Sequence, residues 1–560
     1  MKICFLWVDR FKKLDDFSIN LSSDYQYHYD ETTNSLTREK KAVLPVSFWG
    51  ESVSEVTGIL GTNGAGKTTL LELLCLAIKG KAEICSRYFI LYEKKGSLFY
   101  QSSDNFPPLK TQLDVYLAHS RLTLDDLGVV YFSNIYDESW LDLGDDVEDV
   151  SVNNRVISER RGGFGDKNRG KFIEELEFLT SDRFAALAYP APEKVSVRIN
   201  TRFWQKETST YNDNHKEILR LMRSIFHRSS QLEPIALTRL TIQCTLLMAL
   251  YSEYAKRTES IVTETFHRIL MNDNNETIDV DKLIAELAVV LKRGDTDHYI
   301  SRDEHFYQIV SCLILLENDL EVMGFKEMKK YRVDKAHFTV GFDKANEENL
   351  SRLANLINYI SSADIDWAEL SSGQRAYINL FSSIWCAIHK IKNKRRSSYD
   401  EDILICIDEG DLYLHPQLQL EFIEKLINVL PQLSYGRIQL IITTHSPLLI
   451  TDLPAQCVTV LTKDKDDNII TVPGKHTFGA NIYDIYRHSF EVVTQRTGNV
   501  SDSYMNTIIA ILDKRMLSGE ELDKLKESLT VIGDKLLSYH IKKRIDSVEM
   551  DAVSAGKVND

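Results

Sequence analysis

The sequence holds no closely spaced pair of cysteines. Its eight, Cys4, Cys75, Cys85, Cys244, Cys312, Cys386, Cys406 and Cys457, nowhere form a CxxC, which excludes a zinc knuckle or hook built on that spacing. Most stand in apolar stretches, where buried free thiols are expected, and free thiols suit a reducing compartment. A leader-like start is missing too, because Met1-Lys2-Ile3-Cys4-Phe5-Leu6-Trp7-Val8 is short and is ended by Asp9 and Arg10. The most apolar long run, Leu240 to Tyr251, is interrupted by Gln243 and falls well below the ~20 residues that span a bilayer. No membrane segment and a cytoplasmic location are expected. There is no internal repeat and no sustained heptad pattern, so a long coiled-coil arm is excluded. Basic charge is also in deficit. The net charge of −15 argues against binding nucleic acid over the whole surface, although a local basic groove remains open.

What is present reads as several globular domains. The 560 residues are 43% hydrophobic and 27% charged, which suits a sizeable core. Strands are expected at Lys2 to Val8, Phe17 to Leu21, Ala42 to Phe48 and Val56 to Leu60, followed by a buried helix over Thr69 to Lys79. Further strands are expected at Arg87 to Tyr92, Ser97 to Gln101 and Gly128 to Phe132. Ser151 to Gly170 is polar and glycine-bearing and reads as a loop. Helical patterns dominate from Phe172 to Leu320, most clearly at Lys216 to Phe226, Leu237 to Tyr254, Ile278 to Leu291 and His305 to Leu320. Alternating strands and helices return at His337 to Phe342 (strand), Glu348 to Tyr359 and Gly373 to Lys390 (helices), Ile403 to Ile407 (strand), Gln417 to Leu430 (helix) and Ile438 to Thr443 (strand). The tail reads as helices at Tyr504 to Arg515, Gly519 to Leu529 and Ile532 to Ile545.

Four segments carry chemistry. Gly61-Thr62-Asn63-Gly64-Ala65-Gly66-Lys67-Thr68 fits G-x-x-x-x-G-K-[ST] and sits between an expected strand and an expected helix, the context that motif requires. Its backbone N–H groups and the helix N-terminus cradle phosphates. Lys67 neutralises the β/γ-phosphates, and the Thr68 hydroxyl can hold Mg²⁺. The run Ile403-Leu404-Ile405-Cys406-Ile407 suits a buried central strand. It ends in Asp408, placed to hold Mg²⁺, and Glu409, placed to polarise an attacking water. Glu369-Leu370-Ser371-Ser372-Gly373-Gln374-Arg375 opens a helix and offers a second anion-binding N-terminus, or a plain serine cap. In Ile441-Ile442-Thr443-Thr444-His445-Ser446-Pro447, an imidazole at a strand end can reach a γ-phosphate or the catalytic water.

Gly373 precedes Asp408 by 35 residues, and Asp408 precedes His445 by 37. With this order and spacing the sequence resembles the ATP-binding-cassette (ABC) ATPases. Gly61 to Thr68, with Thr69 behind them, matches their Walker A; Leu370 to Gln374 their signature, with Ser371, Gly373 and Gln374 facing nucleotide; Asp408-Glu409 their Walker B; and His445 their switch histidine. Ser372 stands where transporters carry glycine, and the strand Val129 to Phe132 runs into Ser133-Asn134 where the family carries glutamine; Gln101 is a weaker candidate for that glutamine. The resemblance implies an ABC-ATPase head, a mixed α/β sheet with flanking helices, with a large helical insertion and a helical C-terminal region. ATP and Mg²⁺ are the implied cofactors. Glu409, His445 and Lys67 are the implied catalytic groups, and Thr68 and Asp408 the implied metal ligands. The implied assembly is an ATP-bound homodimer, or a higher homo-oligomer, in which the signature of one copy closes over the phosphates of another.

The wide separation of the two halves, together with Leu414-His415-Pro416 after Walker B, resembles the SMC/RecF/OLD-type branch. The expected layout is an N-terminal lobe over 1–150, a helical insertion over 151–335, a C-terminal lobe over 336–490 and a helical region over 491–560. Asp464 and Asp466 fall in a segment that reads as a hairpin turn, which argues against a nuclease site there. Trp7 to Asn20, and Thr477-Phe478-Gly479-Ala480-Asn481-Ile482-Tyr483-Asp484, resemble segments of the ATPase subunit of Septu systems and of its relatives in retron defence operons. That resemblance implies an antiphage complex with a separate HNH nuclease partner, and a retron reverse transcriptase with its nucleic acid as a further partner. The competing expectation is a RecF-like DNA-binding repair ATPase. It would use the basic clusters Lys392-Asn393-Lys394-Arg395-Arg396 and Arg155 to Arg169, which read otherwise as solvated loops.

Overall fold

The apolar runs around the glycine loop assemble side by side. The computed structural model describes residues 1–62, 64–80, 84, 86–117, 124, 126–137, 141–161, 170–200, 216, 218, 220–221, 224–225, 232–254, 260–272, 279–293, 300–332, 335–360, 363–395, 402–482, 484–485 and 498–556. The chain divides into two units, Met1–Ile482 and Tyr483–Asp560.

In the first unit β1 (Lys2–Phe11) pairs antiparallel with β2 (Leu14–Asn20), and β3 (Tyr25–Asp30) with β4 (Ser35–Lys40). β5 (Val53–Gly61) enters the glycine loop. β6 (Tyr88–Lys94), β7 (Ser97–Ser102) and β8 (Val115–Leu117) extend the first pair into a five-stranded sheet, order β2-β1-β6-β7-β8. β9 (Gly128–Ser133) and β10 (Glu148–Asp149) belong with β5. β11 (Lys194–Asn200), β12 (Phe325–Arg332), β13 (Lys335–Gly341) and β14 (Ala363–Trp367) form a four-stranded sheet, order β12-β13-β11-β14. The last strands are β15 (Ile403–Asp408), β16 (Ile438–Thr444), β17 (Val458–Lys463) and β18 (Ile469–Pro473).

The sheet that matters for function has the order β10-β9-β15-β16-β5-β17-β18. All its neighbours run parallel except β18, which returns as a hairpin. Every residue of β15 and β16 is buried. This explains their unbroken apolar composition, since a central parallel strand is covered on both faces. The helix Lys67–Ile78 covers one face, with Leu70, Leu74 and Cys75 in one core with Val129, Tyr131, Leu404, Cys406 and Ile441. Parallel pairing brings the carboxyl ends of β5, β9, β15 and β16 to one edge, where open α/β sheets place their ligands.

Three expectations need correction. Ala42 to Phe48 is not a strand: Pro45 cannot donate to a ladder, and Val43 and Val46 are exposed. The β3–β4 hairpin is a separate two-stranded sheet, whose Tyr27 and Tyr29 pack on Phe5, Trp7 and Phe89 of the five-stranded sheet. Ser151 to Gly170 is not all loop. Val152–Arg161 is helical, with the Ser151 hydroxyl accepting from the Asn154 N–H at 3.2 Å as a cap. Arg155 anchors this helix on Glu174 at 2.7 Å and Ser383 at 2.6 Å. Residues 162–169 of that stretch lie outside the described residues. Finally, the 151–335 stretch is not purely helical. It carries helices Pro234–Tyr254, Ile261–Asn272, Val280–Arg293 and Ile300–Val322, but also β11 and β12. In β11 Val195, Val197 and Ile199 alternate inward, a period of two in a short segment that the surrounding helical patterns obscured. Of the helix expected over Lys216 to Phe226, residues 216, 218, 220, 221, 224 and 225 are described and are helical, and the others lie outside the described residues.

Among the described residues one helix, over Pro234–Tyr251, is long and apolar enough to cross a membrane by length and composition, yet 67% of that window is buried within the fold. In the second unit, helices Asn499–Leu512, Gly519–Ser528 and Lys535–Gly556 share a core of Ile508, Ile511, Leu525, Ile541 and Ile545. A reciprocal cap between Ser518 and Glu521 starts the middle helix.

Candidate functional site

The loop between β5 and its helix turns on glycine. Gly64 and Gly66 have φ of 78° and 88°, a region where a Cβ is strained. Gly66 is the N-cap of the helix Lys67–Ile78 and no side chain caps it. The first N–H groups of that helix therefore remain available to an anion. Gly61 ends β5, Ala65 is buried, and Thr69 follows Thr68 in the first helical turn. Asn63 lies outside the described residues.

Lys67 is only 6% exposed. Its ammonium donates to the Gly61 carbonyl at 3.3 Å, lies 2.5 Å from Nε2 of His445, and is 3.6 Å from Oε1 of Glu409. His445 Nε2 is 2.9 Å from the same Glu409 oxygen. The three side chains thus make a triangle, although Lys67 and His445 are separated by 378 positions in the chain. Burial lowers the proton affinity of Lys67, and Glu409 and Asp408 oppose it only in part. Glu409 goes the other way: its hydrogen bond with His445, reinforced by Lys67, holds its carboxyl below the ordinary carboxylate value. The pair therefore favours a charged Glu409 more than it favours a charged Lys67, because the lysine is the more deeply buried partner.

Behind the triangle, Asp408 is surrounded by hydroxyls. Thr68 donates to Oδ2 at 2.7 Å, Tyr131 donates to Oδ2 at 3.2 Å, and Thr443 donates to Oδ1. Burial pushes the Asp408 carboxyl up, and these donors push it back. The next residue, Glu409, has φ of 49°. Its N–H donates to the Thr443 carbonyl and to the Thr443 hydroxyl, each at 3.1 Å. This left-handed turn separates the directions of two consecutive carboxylates, and conformations of this kind persist where the surroundings hold them. Asp411 follows, with the Thr444 hydroxyl donating to both its oxygens at 3.0 Å.

The arrangement suits phosphoryl chemistry. A helix N-terminus and a lysine meet the phosphates, a charged carboxylate and an imidazole stand beside that lysine, and Thr68 with Asp408 offers oxygen donors. Oxygen is the donor class that hard divalent cations take, so these residues fit Mg²⁺.

The structure brings together Gly61, Gly64, Ala65, Gly66, Lys67, Thr68, Asp408, Glu409 and His445. It does not bring Ser371, Gly373 or Gln374 to them: among the described residues no hydrogen bond or ion pair joins the two groups. Ser371 instead caps its own helix, Ser372–Arg395. Its hydroxyl accepts from the Gln374 N–H at 3.2 Å, while its N–H and its hydroxyl donate to Gln374 Oε1, each at 3.0 Å. Gln101 sits buried in β7, in the other sheet, whereas Ser133 lines the cleft with Thr68 and Asp408. Sequence reasoning overlooked Tyr131 and Asp411. The acidic Asp411, two positions after Glu409, was visible; Tyr131 gave no signal.

Comparison with known proteins agrees with this geometry. A family model described as AAA ATPase domain matches residues 1–450. The Retron Vc95 probable ATPase of Vibrio cholerae serotype O1 biovar El Tor is 28% identical over 22% of this chain and 23% of its own length. The Septu protein PtuA of Bacillus mycoides (strain KBAB4) is 34% identical over 18% of this chain and 13% of its own. The Retron Ec83 probable ATPase of Escherichia coli is 23% identical over 35% of this chain and 37% of its own. The chain thus aligns with less than two fifths of the length of each of these relatives.

Proposed function

Because this chain belongs to the AAA ATPase domain family, we propose that it binds ATP on the loop Gly61 to Thr68 and hydrolyses it with Glu409, His445 and Lys67. Lys67 and the loop N–H groups bind the phosphates, and Thr69 in the first helical turn adds to that cradle. Glu409 polarises the attacking water, and His445, in contact with both Glu409 and Lys67, reads the γ-phosphate. Thr68 and Asp408 would hold Mg²⁺, which when bound offsets phosphate charge. The observation that carries the reading is the contact of Lys67 with both Glu409 and His445.

The site is half of a composite one. Ser371 is exposed at the start of a long helix, and with Gly373 and Gln374 it would close over ATP held by a second copy. The names of the aligned relatives support a role in antiphage defence. In this reading a cytoplasmic homodimer or higher homo-oligomer uses ATP to restrain or release a separate HNH nuclease, with a retron reverse transcriptase and its nucleic acid as a further partner. A RecF-like DNA-binding role has less behind it, since Arg155 is engaged by Glu174 and Lys394 is paired with Glu148 at 2.6 Å.

The test is nuclease control by the purified complex of this chain with its genomic neighbour. Nuclease output should follow ATP and should lose that dependence in Lys67→Ala. Output that ignores both ATP and Lys67→Ala overturns the proposal.

A further inference from the structure

We propose that Tyr131 is a positioning residue whose phenol fixes the Asp408 carboxylate toward Thr68 and so presets the cation seat. The inference rests on the reading of Thr68 and Asp408 given above.

Two observations converge on it. The first is geometric. Oδ2 of Asp408 is shared by Thr68 and Tyr131 at 2.7 and 3.2 Å, and Thr443 occupies Oδ1. A carboxylate gripped on both oxygens cannot rotate freely, so the oxygen near Thr68 stays there. The second is how Tyr131 is held. It is 1% exposed and belongs to the apolar cluster that includes Leu70, Leu74 and Cys406. In the β9–β15 register Ser133 stands opposite Asp408 and Tyr131 opposite Cys406. Side chains two apart on a strand share a face, so Tyr131 reaches Asp408 from one step back, on the side of the helix that carries Thr68. A ring packed on all sides delivers its hydroxyl to one place.

The burial of the carboxylate makes the contact consequential. Asp408 is 1% exposed, so its oxygens take their orientation from the hydroxyls that surround them, and hydrogen bonds to ionised groups are the stronger kind. Were the phenol merely satisfying its own need for an acceptor, its loss would touch folding stability and leave cation binding as it was.

Full-length Tyr131→Phe separates the two, because phenylalanine keeps the ring and removes only the hydroxyl. Mn²⁺ binding would be followed by electron paramagnetic resonance with a non-hydrolysable ATP analogue present, and binding of the analogue alone would be measured in EDTA. Analogue binding in EDTA should be unchanged, while the Mn²⁺ dissociation constant should rise roughly tenfold, as expected for the loss of one hydrogen bond to a charged group. A Mn²⁺ affinity equal to that of the unmodified protein overturns the proposal, whatever the thermal stability shows. Asp408→Asn is the companion measurement. If it weakens Mn²⁺ binding while Tyr131→Phe does not, only the role of Tyr131 falls. If Asp408→Asn also binds Mn²⁺ normally, the cation seat itself has been misread.

Discussion

His445 Nε2 lies 2.9 Å from Oε1 of Glu409, and the same imidazole nitrogen lies 2.5 Å from the ammonium of Lys67. One nitrogen therefore links the group proposed to activate water with the group proposed to hold phosphate. Glu409→Gln keeps the shape of this triangle and removes its negative charge. ATP hydrolysis should fall by about 10²- to 10⁴-fold, the usual range for loss of a general base, while nucleotide is retained on gel filtration. Unchanged turnover would remove Glu409 from the mechanism.

His445→Ala tests the same contact through pH. The hydrogen bond from His445 is the largest influence holding the Glu409 carboxyl low, with Lys67 adding to it. Without it the carboxyl returns toward its ordinary value, so the acid limb of the hydrolysis rate should move to higher pH. The stability that Glu409 lends is present above its unfolded value and is lost as pH falls through the lower folded one. The variant should accordingly show less acid-side loss of stability attributable to this residue. A pH–rate profile of His445→Ala that superimposes on the parent after scaling would show that the contact does not tune Glu409.

What could be read from sequence follows from what forces residue identity. Positive φ at Gly64 and Gly66 excludes most side chains, so the phosphate loop announces itself. Burial on both faces made β15 an unbroken apolar run ending in Asp408. Tyr131 is different: its partner is 277 positions away, and only the β9–β15 register brings the two together. Nothing local distinguishes it from another core tyrosine. The β11 strand had a local signal in its alternating Val195, Val197 and Ile199, but seven residues among long helical patterns carry little weight. The Ala42 to Phe48 segment misled in the opposite sense, because its β-formers surround Pro45 and find no partner strand.

Asp411 should respond to pH in the sense opposite to Glu409. Burial pushes its carboxyl up to about 6 from an ordinary 3.8, against the opposing hydrogen bond from Thr444. Its folded-state value is raised, so its contribution to stability is full below the unfolded value and is lost as pH rises through about 6. Asp411→Asn keeps an acceptor for Thr444 and abolishes the charge. Relative to the parent, the variant should gain stability between about pH 5 and 7.5, by on the order of 1–3 kcal/mol. Urea denaturation at both pH values measures it, and an equal difference at the two would refute the burial argument.

The proposed composite site makes two neighbouring residues fail in different ways. A Cβ on Gly373 would meet Leu418 Cδ1 at 2.0 Å, where the helix Ser372–Arg395 faces the segment after Walker B. Gly373→Ala must push aside the tip of the half-buried Leu418 side chain and should lower stability by about 1 kcal/mol, the low end of overpacking costs. Ser371 is exposed, so Ser371→Arg needs no repacking and should leave the thermal midpoint nearly where it was. If Ser371 closes over nucleotide in a second copy, the bulky cation should still abolish ATP-dependent dimerisation, measured by mass photometry in the Glu409→Gln background. Nucleotide binding by the isolated chain should persist, since Ser371 makes no hydrogen bond or ion pair to the Lys67 loop of its own chain among the described residues. A dimer that forms normally with Ser371→Arg would place the signature helix outside the interface, and the site would then have to be complete within one chain.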